Sequence, residues 1–138
     1  MSSDSQTVQT HLSIDRGLCG EPVALGPGTA TVRLHTRPDM AADPRGLVHG
    51  GFVFGAADYA AMLAVNDPFV VLGTAELRFT APVQVGETVI LVAERGEVHK
   101  RRHLVEVKGM VGEREVFIGK FVTHVLERHV LDPRPAGA

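Results

Sequence analysis

The longest apolar stretch of the chain covers residues 52–65 and contains one charged side chain, the carboxylate of Asp58. Small and apolar residues on every side predict a helix that is buried all round. An aspartate is rarely buried unless it is paired or functional. The pattern therefore predicts a central core helix that carries a candidate functional carboxylate.

The residues at both ends of this predicted helix indicate where it starts and stops. Gly50 and Gly51 stand where it should begin, and a helix start offers unpaired N–H groups and the positive end of the helix dipole. Asp67 precedes Pro68, and the residue before a proline avoids the helical region, so the helix should end there. The glycine pair predicts an oxyanion site, although close packing that only glycine permits explains it equally well.

Outside the helix the hydrophobic period is that of β-strands, whose side chains alternate between two faces. One strand is predicted before the helix, and four strands joined by short turns are predicted after it. This order favours an α+β fold in which an antiparallel meander packs on the helix. Residues 19–28 are rich in Gly and Pro and are expected to form a loop. The predicted strands cover residues 29–35, 69–79, 88–94, 103–111 and 116–126.

Composition narrows the class of protein. The 138 residues should form one domain with its own core, between flexible tails at about residues 1–10 and 132–138. A net charge of -2 gives no general attraction to nucleic acid or to an anionic membrane. The single cysteine, Cys19, and the absence of a signal peptide or a long apolar span favour a cytoplasmic protein without a membrane segment.

Gly51 and Asp58 are seven residues apart, which separates them by about 10 Å along a helix axis. A reacting carbonyl must lie about 3 Å from both its oxyanion donor and its base or nucleophile. One helix can hardly serve both ends, whereas two antiparallel copies can, each giving its N-terminus to the other's Asp58. We therefore expect a homodimer, or a dimer of dimers, with symmetric shared sites.

The motif His49-Gly50-Gly51, followed after six further residues by Asp58, resembles the hot dog-fold thioesterases of the phenylacetate-degradation type. Residues 76–83, Glu-Leu-Arg-Phe-Thr-Ala-Pro-Val, are similar to a strand and turn of that family. The resemblance covers residues 33–126. It implies a curved antiparallel sheet wrapped around one long helix, dimers that often pair into tetramers, and cofactor-free hydrolysis of acyl-coenzyme A (acyl-CoA) thioesters.

By matching position, the resemblance makes Asp58 the catalytic carboxylate, acting as nucleophile or as general base, and Gly50 or Gly51 the oxyanion donor. His49 has two interpretations, a catalytic role or a structural bond to a backbone carbonyl at the helix start. Related enzymes often carry Asn or Gln six residues before the motif histidine, where it places water or thioester. Here that position is Asp43, whose role is open.

Further residues are candidates for substrate binding. Thr74 could hydrogen-bond the thioester or water, or be a plain sheet residue. Lys100, Arg101 and Arg102 could meet the coenzyme A phosphates, or form a solvated turn. The histidines of the chain lack the converging carboxylate or thiolate partners of a metal site, so no metal is expected.

A second resemblance favours a different class of function. Residues 75–80, 105–107 and 111–113 are similar to the effector domain of the malonyl-CoA-responsive repressor of bacterial lipid synthesis. That domain binds the thioester without hydrolysing it, and it carries an asparagine where this chain has Asp58. The alternative to a thioesterase is thus a non-catalytic acyl-CoA binding module, with a dehydratase as a third option. No helix-turn-helix segment precedes the motif, so no binding of nucleic acid is expected.

Overall fold

The structure is a computed structural model, and it describes residues 6–133. Within them, six strands form one antiparallel sheet, which curves around one long helix. This is the α+β hot dog fold that was predicted. The elements are α1 (Arg16–Cys19), β1 (Glu21–Gly26), β2 (Thr29–His35), a 3₁₀ turn (Pro38–Met40), α2 (Gly50–Val65), β3 (Val70–Phe79), β4 (Thr88–His99), β5 (Arg102–Val111) and β6 (Arg114–Val125).

Helix α2 is the core of the molecule, as predicted, but burial on all sides holds only for its C-terminal half, because Gly51 is exposed and Phe54, Gly55 and Asp58 are partly exposed along one face of the N-terminal half. Its residues 59–64 are all buried, so every direction around the axis is covered for more than a full turn. Five of the nine buried residues of α2 are alanines, whose small side chains let the helix lie close to the sheet. Opposite them, the inner face of the sheet presents larger buried side chains, among them Leu34, Leu91, Phe117 and Phe121. None of the helices within residues 6–133 is long and apolar enough to cross a membrane.

The C-terminal end of α2 also anchors the start of the chain. Asn66 caps the helix in the left-handed conformation (φ 54°), and its N–H donates to the Met62 carbonyl at 2.7 Å. Its side chain accepts from the Gln9 N–H at 2.8 Å and donates to the Thr7 carbonyl at 2.9 Å. Residues 7–9, which were expected to be flexible, are therefore held by the helix cap.

Residues 1–5 and 134–138 lie outside the described residues, so the predicted flexibility of the two ends stays a prediction there. The described part of the C-terminal tail, residues 132–133, is exposed.

The prediction of a loop over residues 19–28 is wrong. Cys19 ends α1, and β1 then pairs antiparallel with β2 through a tight turn at Gly28 (φ 74°). Because β1 is an edge strand with few buried side chains, it lacks the alternation that reveals a half-buried strand. An edge position also accommodates Pro22, beside which the register shifts.

The prediction that the four strands after the helix form a meander is also wrong for the first of them, β3. The sheet order is β1-β2-β4-β5-β6-β3, so only β4, β5 and β6 follow one another as a meander, and β3 pairs with β6. Residues 80–87 connect β3 to β4 and cross the start of α2, where the Val48 N–H donates to the Val83 carbonyl at 2.8 Å. Alternation identified the strands, but it carries no information about which strands pair.

Candidate active site

Asp58 is the one charged side chain of α2, and it lies half-buried in the middle of the helix. Its Oδ1 atom is buried and has no hydrogen-bond partner among the described residues. Burial raises the pKa of this carboxyl to about 6. A carboxylate in this range can take up or release a proton near neutral pH, which suits a general base or a nucleophile.

The nearby thiol of Cys19 is not a competing nucleophile. Burial raises the pKa of Cys19, and the negative charges of Asp15 and Asp58 raise it further. A protonated thiol attacks carbonyls poorly, because the thiolate is the reactive form. At this point of α2, the carboxylate of Asp58 is therefore the group that can act as a base or a nucleophile.

The start of α2 presents free backbone donors. The Phe52 N–H donates to the carbonyl of His49, the N-cap residue, at 3.1 Å. The N–H groups of Gly50 and Gly51 have no acceptor within residues 6–133. Together with the positive end of the helix dipole, these two amides can stabilise a developing oxyanion.

Both glycines also allow close packing. The two interpretations of the glycine pair, an oxyanion site and a close-packed helix start, are therefore compatible. A Cβ on Gly50 would lie 3.2 Å from Cε1 and Cζ of Phe79. A Cβ on Gly51 would lie 3.1 Å from Cδ2 and Nε2 of His49. A side chain at either position would require the neighbouring ring to shift by a few tenths of an ångström.

His49 holds the helix start through its backbone. Its N–H donates to the Met40 carbonyl at 2.9 Å, while its ring packs edge-on against Phe52 with 6.1 Å between centroids. The ring makes no hydrogen bond within the described part of the chain. The bond that positions the helix start is thus a main-chain bond, and a catalytic role for the imidazole stays a prediction.

A cavity of about 590 Å³ opens at the helix start, and the two glycines form part of its wall. Its other walls are mostly apolar side chains from α2, from the end of β3 and from the turn that follows. Asp58 does not line this cavity, so one chain keeps the carboxylate and the free amides apart. Among the lining residues are Val53, Phe79, Ala81, Pro82, Val83 and Val116.

The side chain of Asp43 stabilises the loop that contains it. Its Oδ1 atom accepts from the N–H groups of Arg45 at 3.0 Å and Leu47 at 3.1 Å. The loop borders a second cavity of about 600 Å³, which adjoins the first and is lined by charged residues that include Arg114 and Glu87. These two form an ion pair at 2.9 Å. Asp43 thus lies close to the site and shapes the approach to α2.

The other predicted binding residues lie elsewhere in the chain. Thr74 is exposed and pairs with Val122, next to the inward-facing pair of Ala75 with buried Phe121, so it faces away from the helix. Within one chain Thr74 therefore lies outside the cavity at the helix start, and a role for it in substrate binding stays a prediction.

The basic turn of Lys100, Arg101 and Arg102 joins β4 to β5 at the end of the sheet remote from the start of α2. Arg101 forms an ion pair with Glu127 at 3.1 Å. A contact between this turn and a thioester bound at Gly51 would require a second copy of the chain. Among residues 6–133, no three His, Cys, Asp or Glu side chains converge as metal ligands do.

Sequence reasoning missed Phe79. It is 54% exposed, although it lies on the helix-facing side of β3, and its ring meets Phe117 edge-on at 5.7 Å. Alternation along β3 does show that Phe79 shares a face with Leu77, two residues away. Its contact with Gly50 joins residues 29 positions apart, so no local pattern could reveal it.

Comparison with solved structures places this geometry in a class. The fold is that of a hot dog protein of the PaaI-like type. A mutant form of the phenylacetic acid degradation protein PaaI from Thermus thermophilus superposes with a TM-score of 0.73, at 27% identity, over 79% of this chain and 95% of that one. Within this class, the chain belongs to the family of the uncharacterized protein PH1136 from Pyrococcus horikoshii. The two chains share 50% identity and a TM-score of 0.92 over 93% of this chain and 98% of that one.

Curated relatives carry this domain within longer proteins. A methylthioribose-1-phosphate isomerase from Aquifex aeolicus is 48% identical over 84% of this chain, but only 25% of that protein is matched. The transcription factor FapR from Caldanaerobacter subterraneus subsp. tengcongensis is 32% identical over 64% of this chain and 44% of that protein. The chain thus spans less than half the length of either relative. No family model matches the chain.

Proposed function

We propose that the chain is an acyl-CoA thioesterase whose sites are shared between two copies of the chain. The observation that carries the proposal is the unpartnered, half-buried carboxylate of Asp58 on the same apolar helix that begins with two free amides. A carboxylate kept without a partner is costly to bury, so its retention favours a chemical role. The PaaI-like class of the fold supports the same reaction type by analogy.

In the proposed reaction, the N–H of Gly51 binds the thioester carbonyl oxygen, with Gly50 as the neighbouring donor. Asp58 of the partner subunit either takes a proton from the attacking water or attacks the carbonyl itself to form an anhydride that water then opens. Negative charge develops on the carbonyl oxygen in both routes, where the amides and the helix dipole stabilise it. The carbon–sulfur bond breaks, and CoA leaves as a thiol after taking up a proton.

The free edge of β3 supports the shared site. β3 is ten residues long and contains no proline, and one of its edges is unpaired within the described chain. A long exposed edge is a ready template for another strand. Pairing with a second copy across a two-fold axis would set the two α2 helices side by side and antiparallel. The proposed homodimer, or dimer of dimers, would be a cytoplasmic enzyme.

A non-catalytic acyl-CoA binding module is the second candidate, and the similarity to FapR favours it. The two candidates differ in what they require at position 58. Binding needs no charge there, and a neutral side chain would be cheaper to bury. The charged Asp58 therefore favours hydrolysis over sensing.

Release of free CoA thiol from short-chain, long-chain and aromatic acyl-CoA esters tests the proposal. We expect hydrolysis of at least one class, and a decrease of about 100- to 10,000-fold in kcat for Asp58→Asn. Asp67→Asn is the matched control, since Asp67 lies just beyond the same helix and only accepts the Phe69 N–H at 2.8 Å. Binding of acyl-CoA without hydrolysis by the wild-type protein would instead support the second candidate.

A further inference from the structure

An irregular turn, residues 82–87, lies beside the start of α2. It runs antiparallel to residues 46–48, where Gln84 pairs with Leu47. A main-chain hydrogen bond of 2.8 Å flanks this pair on each side. The next residue along the chain is the N-cap of α2, and the two free amides follow it. The position of the turn therefore determines where these amides lie.

The side chain of Glu87 closes this turn and ties it to β6. Its Oε1 atom accepts from the Gln84 N–H at 2.8 Å and from Nη2 of Arg114 at 3.0 Å, and its Oε2 atom accepts from the same Nη2 at 2.9 Å. Nη2 also donates to the Pro82 carbonyl at 3.4 Å, at the other end of the turn. The bonds from Gln84 and Arg114 lower the pKa of the Glu87 carboxyl, so it is charged at neutral pH, and bonds to a charged group are the stronger ones.

The main chain of Glu87 fixes the same turn to the end of β2. Its carbonyl accepts from the hydroxyl of Thr36 at 2.6 Å and from the Thr36 N–H at 3.1 Å. Thr36 is 1% exposed, so this anchor lies in the core and survives a change of the Glu87 side chain. All of these contacts lie within one chain, so they do not depend on the second copy that would complete the site.

We propose that Glu87 is a positioning residue, whose carboxylate holds the free amides of Gly50 and Gly51 where a bound carbonyl oxygen requires them. Glu87 does not line the cavity that contains the two glycines, so it acts through the turn and not by touching a substrate. In its kinetic form this inference rests on the proposed thioesterase activity. The positions of the amides can be followed without any substrate, so failure of the inference and failure of the proposed function are distinguishable.

The kinetic arm measures hydrolysis of the acyl-CoA ester that the wild-type protein cleaves fastest. Glu87→Ala removes both acceptor oxygens and should lower kcat by about 10- to 100-fold while KM changes by less than about threefold. The loss should appear in kcat because the amides stabilise charge that develops in the transition state, and a displacement of about 1 Å is costly there. Glu87→Gln keeps an acceptor for the Gln84 N–H and should stay within about threefold of the wild-type kcat.

Glu115→Ala is the matched control. Glu115 also pairs with a cation, Lys108, at 3.6 Å, and its side chain is 34% exposed against 30% for Glu87. It makes no hydrogen bond to the turn at residues 82–87. This control should therefore leave kcat and KM unchanged.

The substrate-free arm is a proton–nitrogen correlation NMR spectrum of protein labelled with nitrogen-15 in glycine. Glu87→Ala should shift the Gly50 and Gly51 resonances and leave that of Gly96, at the far end of β4, in place. Glu115→Ala should shift none of the three. Glu87→Asp keeps the charge but shortens the reach by one methylene, so it should shift the same two resonances and serves where the alanine variant does not fold.

Unchanged Gly50 and Gly51 resonances in the Glu87 variants would overturn the inference, whether or not any ester is hydrolysed. An unchanged kcat despite shifted resonances would overturn it too. Shifts of all glycine resonances together with a lowered melting temperature would make Glu87 a residue of general stability and contradict a positioning role. Selective shifts in a protein that hydrolyses no ester would support the positioning of the amides and reject the proposed function.

Discussion

Phe79 lies against the first residue of the central helix, so a Cβ on Gly50 would meet two atoms of its ring at 3.2 Å. The contact joins the end of an edge strand to the amides that we assign to the oxyanion site. The ring must shift by a few tenths of an ångström to admit a methyl group. The geometry at the helix start is therefore coupled to the side chain at position 50.

Gly50→Ala should lower thioester hydrolysis by about tenfold or more, because the added methyl shifts the Phe79 ring in the wall of the same cavity and a small misplacement at a reacting centre is costly. Its effect on stability should stay small, since Phe79 is partly exposed and can yield. Gly96→Ala is the control, since Gly96 is exposed on β4 and an added Cβ would meet only the Leu104 carbonyl oxygen, at 3.8 Å. That control should raise stability by about 0.5–1 kcal/mol and leave activity unchanged. Equal activity losses in both variants would refute the coupling.

The pH dependence of stability should report the buried carboxyl. The folded pKa of Asp58 is about 6, above the ordinary value of 3.8, so the folded state holds this proton more tightly than the unfolded state. Its stabilising contribution is complete below pH of about 4 and is lost as the pH rises through about 6. Two pKa units correspond to an upper bound of about 3 kcal/mol.

Urea unfolding of the wild type and Asp58→Asn across pH 4–8 checks this sign. The difference in unfolding free energy between the two proteins should change by about 2 kcal/mol over this range, with the variant gaining in relative stability as the pH rises. Asp39 and Glu87, whose pKa values are lowered by their hydrogen bonds, contribute the opposite slope, but they are common to both proteins. A difference that is constant with pH would show that Asp58 has an ordinary pKa.

The free edge of β3 should form the interface between two copies. Ala75 faces inward on this strand yet is exposed in the described chain, so Ala75→Arg should disrupt the dimer and abolish activity with it. Thr74→Arg, one residue away on the outer face, should leave both the dimer and the activity in place. Sedimentation velocity at matched concentrations separates the two variants. A stable dimer with Ala75→Arg would place the interface elsewhere.

Sequence could predict the central helix and its one charged side chain because both are local. An apolar run interrupted only by Asp58, and preceded by Gly50 and Gly51, contains the whole signal within 16 residues. The strands with one buried face were found for the same reason, since alternation is a property of each strand alone. The fold class followed from the order of these elements.

Such local patterns could not predict which strands pair or which distant residues are in contact. Edge strand β1 has too few buried residues to alternate, and the pairing of β3 with β6 depends on how the sheet closes around the helix. The position of Phe79 over Gly50 is a contact between distant residues. Likewise, Asp43 matches a family position, but only the structure shows its carboxylate bound to the amides of its own loop.

Complementation between two inactive variants tests the shared site most directly. Asp58→Asn removes the carboxylate, and Gly51→Pro removes the amide donor at a position in the first helical turn where proline is tolerated. A mixed dimer of the two contains one intact site, made from Gly51 of one chain and Asp58 of the other, and one site with both defects. An equal mixture that re-forms dimers at random should recover about a quarter of the wild-type activity, since half of its dimers are mixed and each has one site of two. A mixture that stays as inactive as its two components, although sedimentation shows mixed dimers, would contradict the shared site.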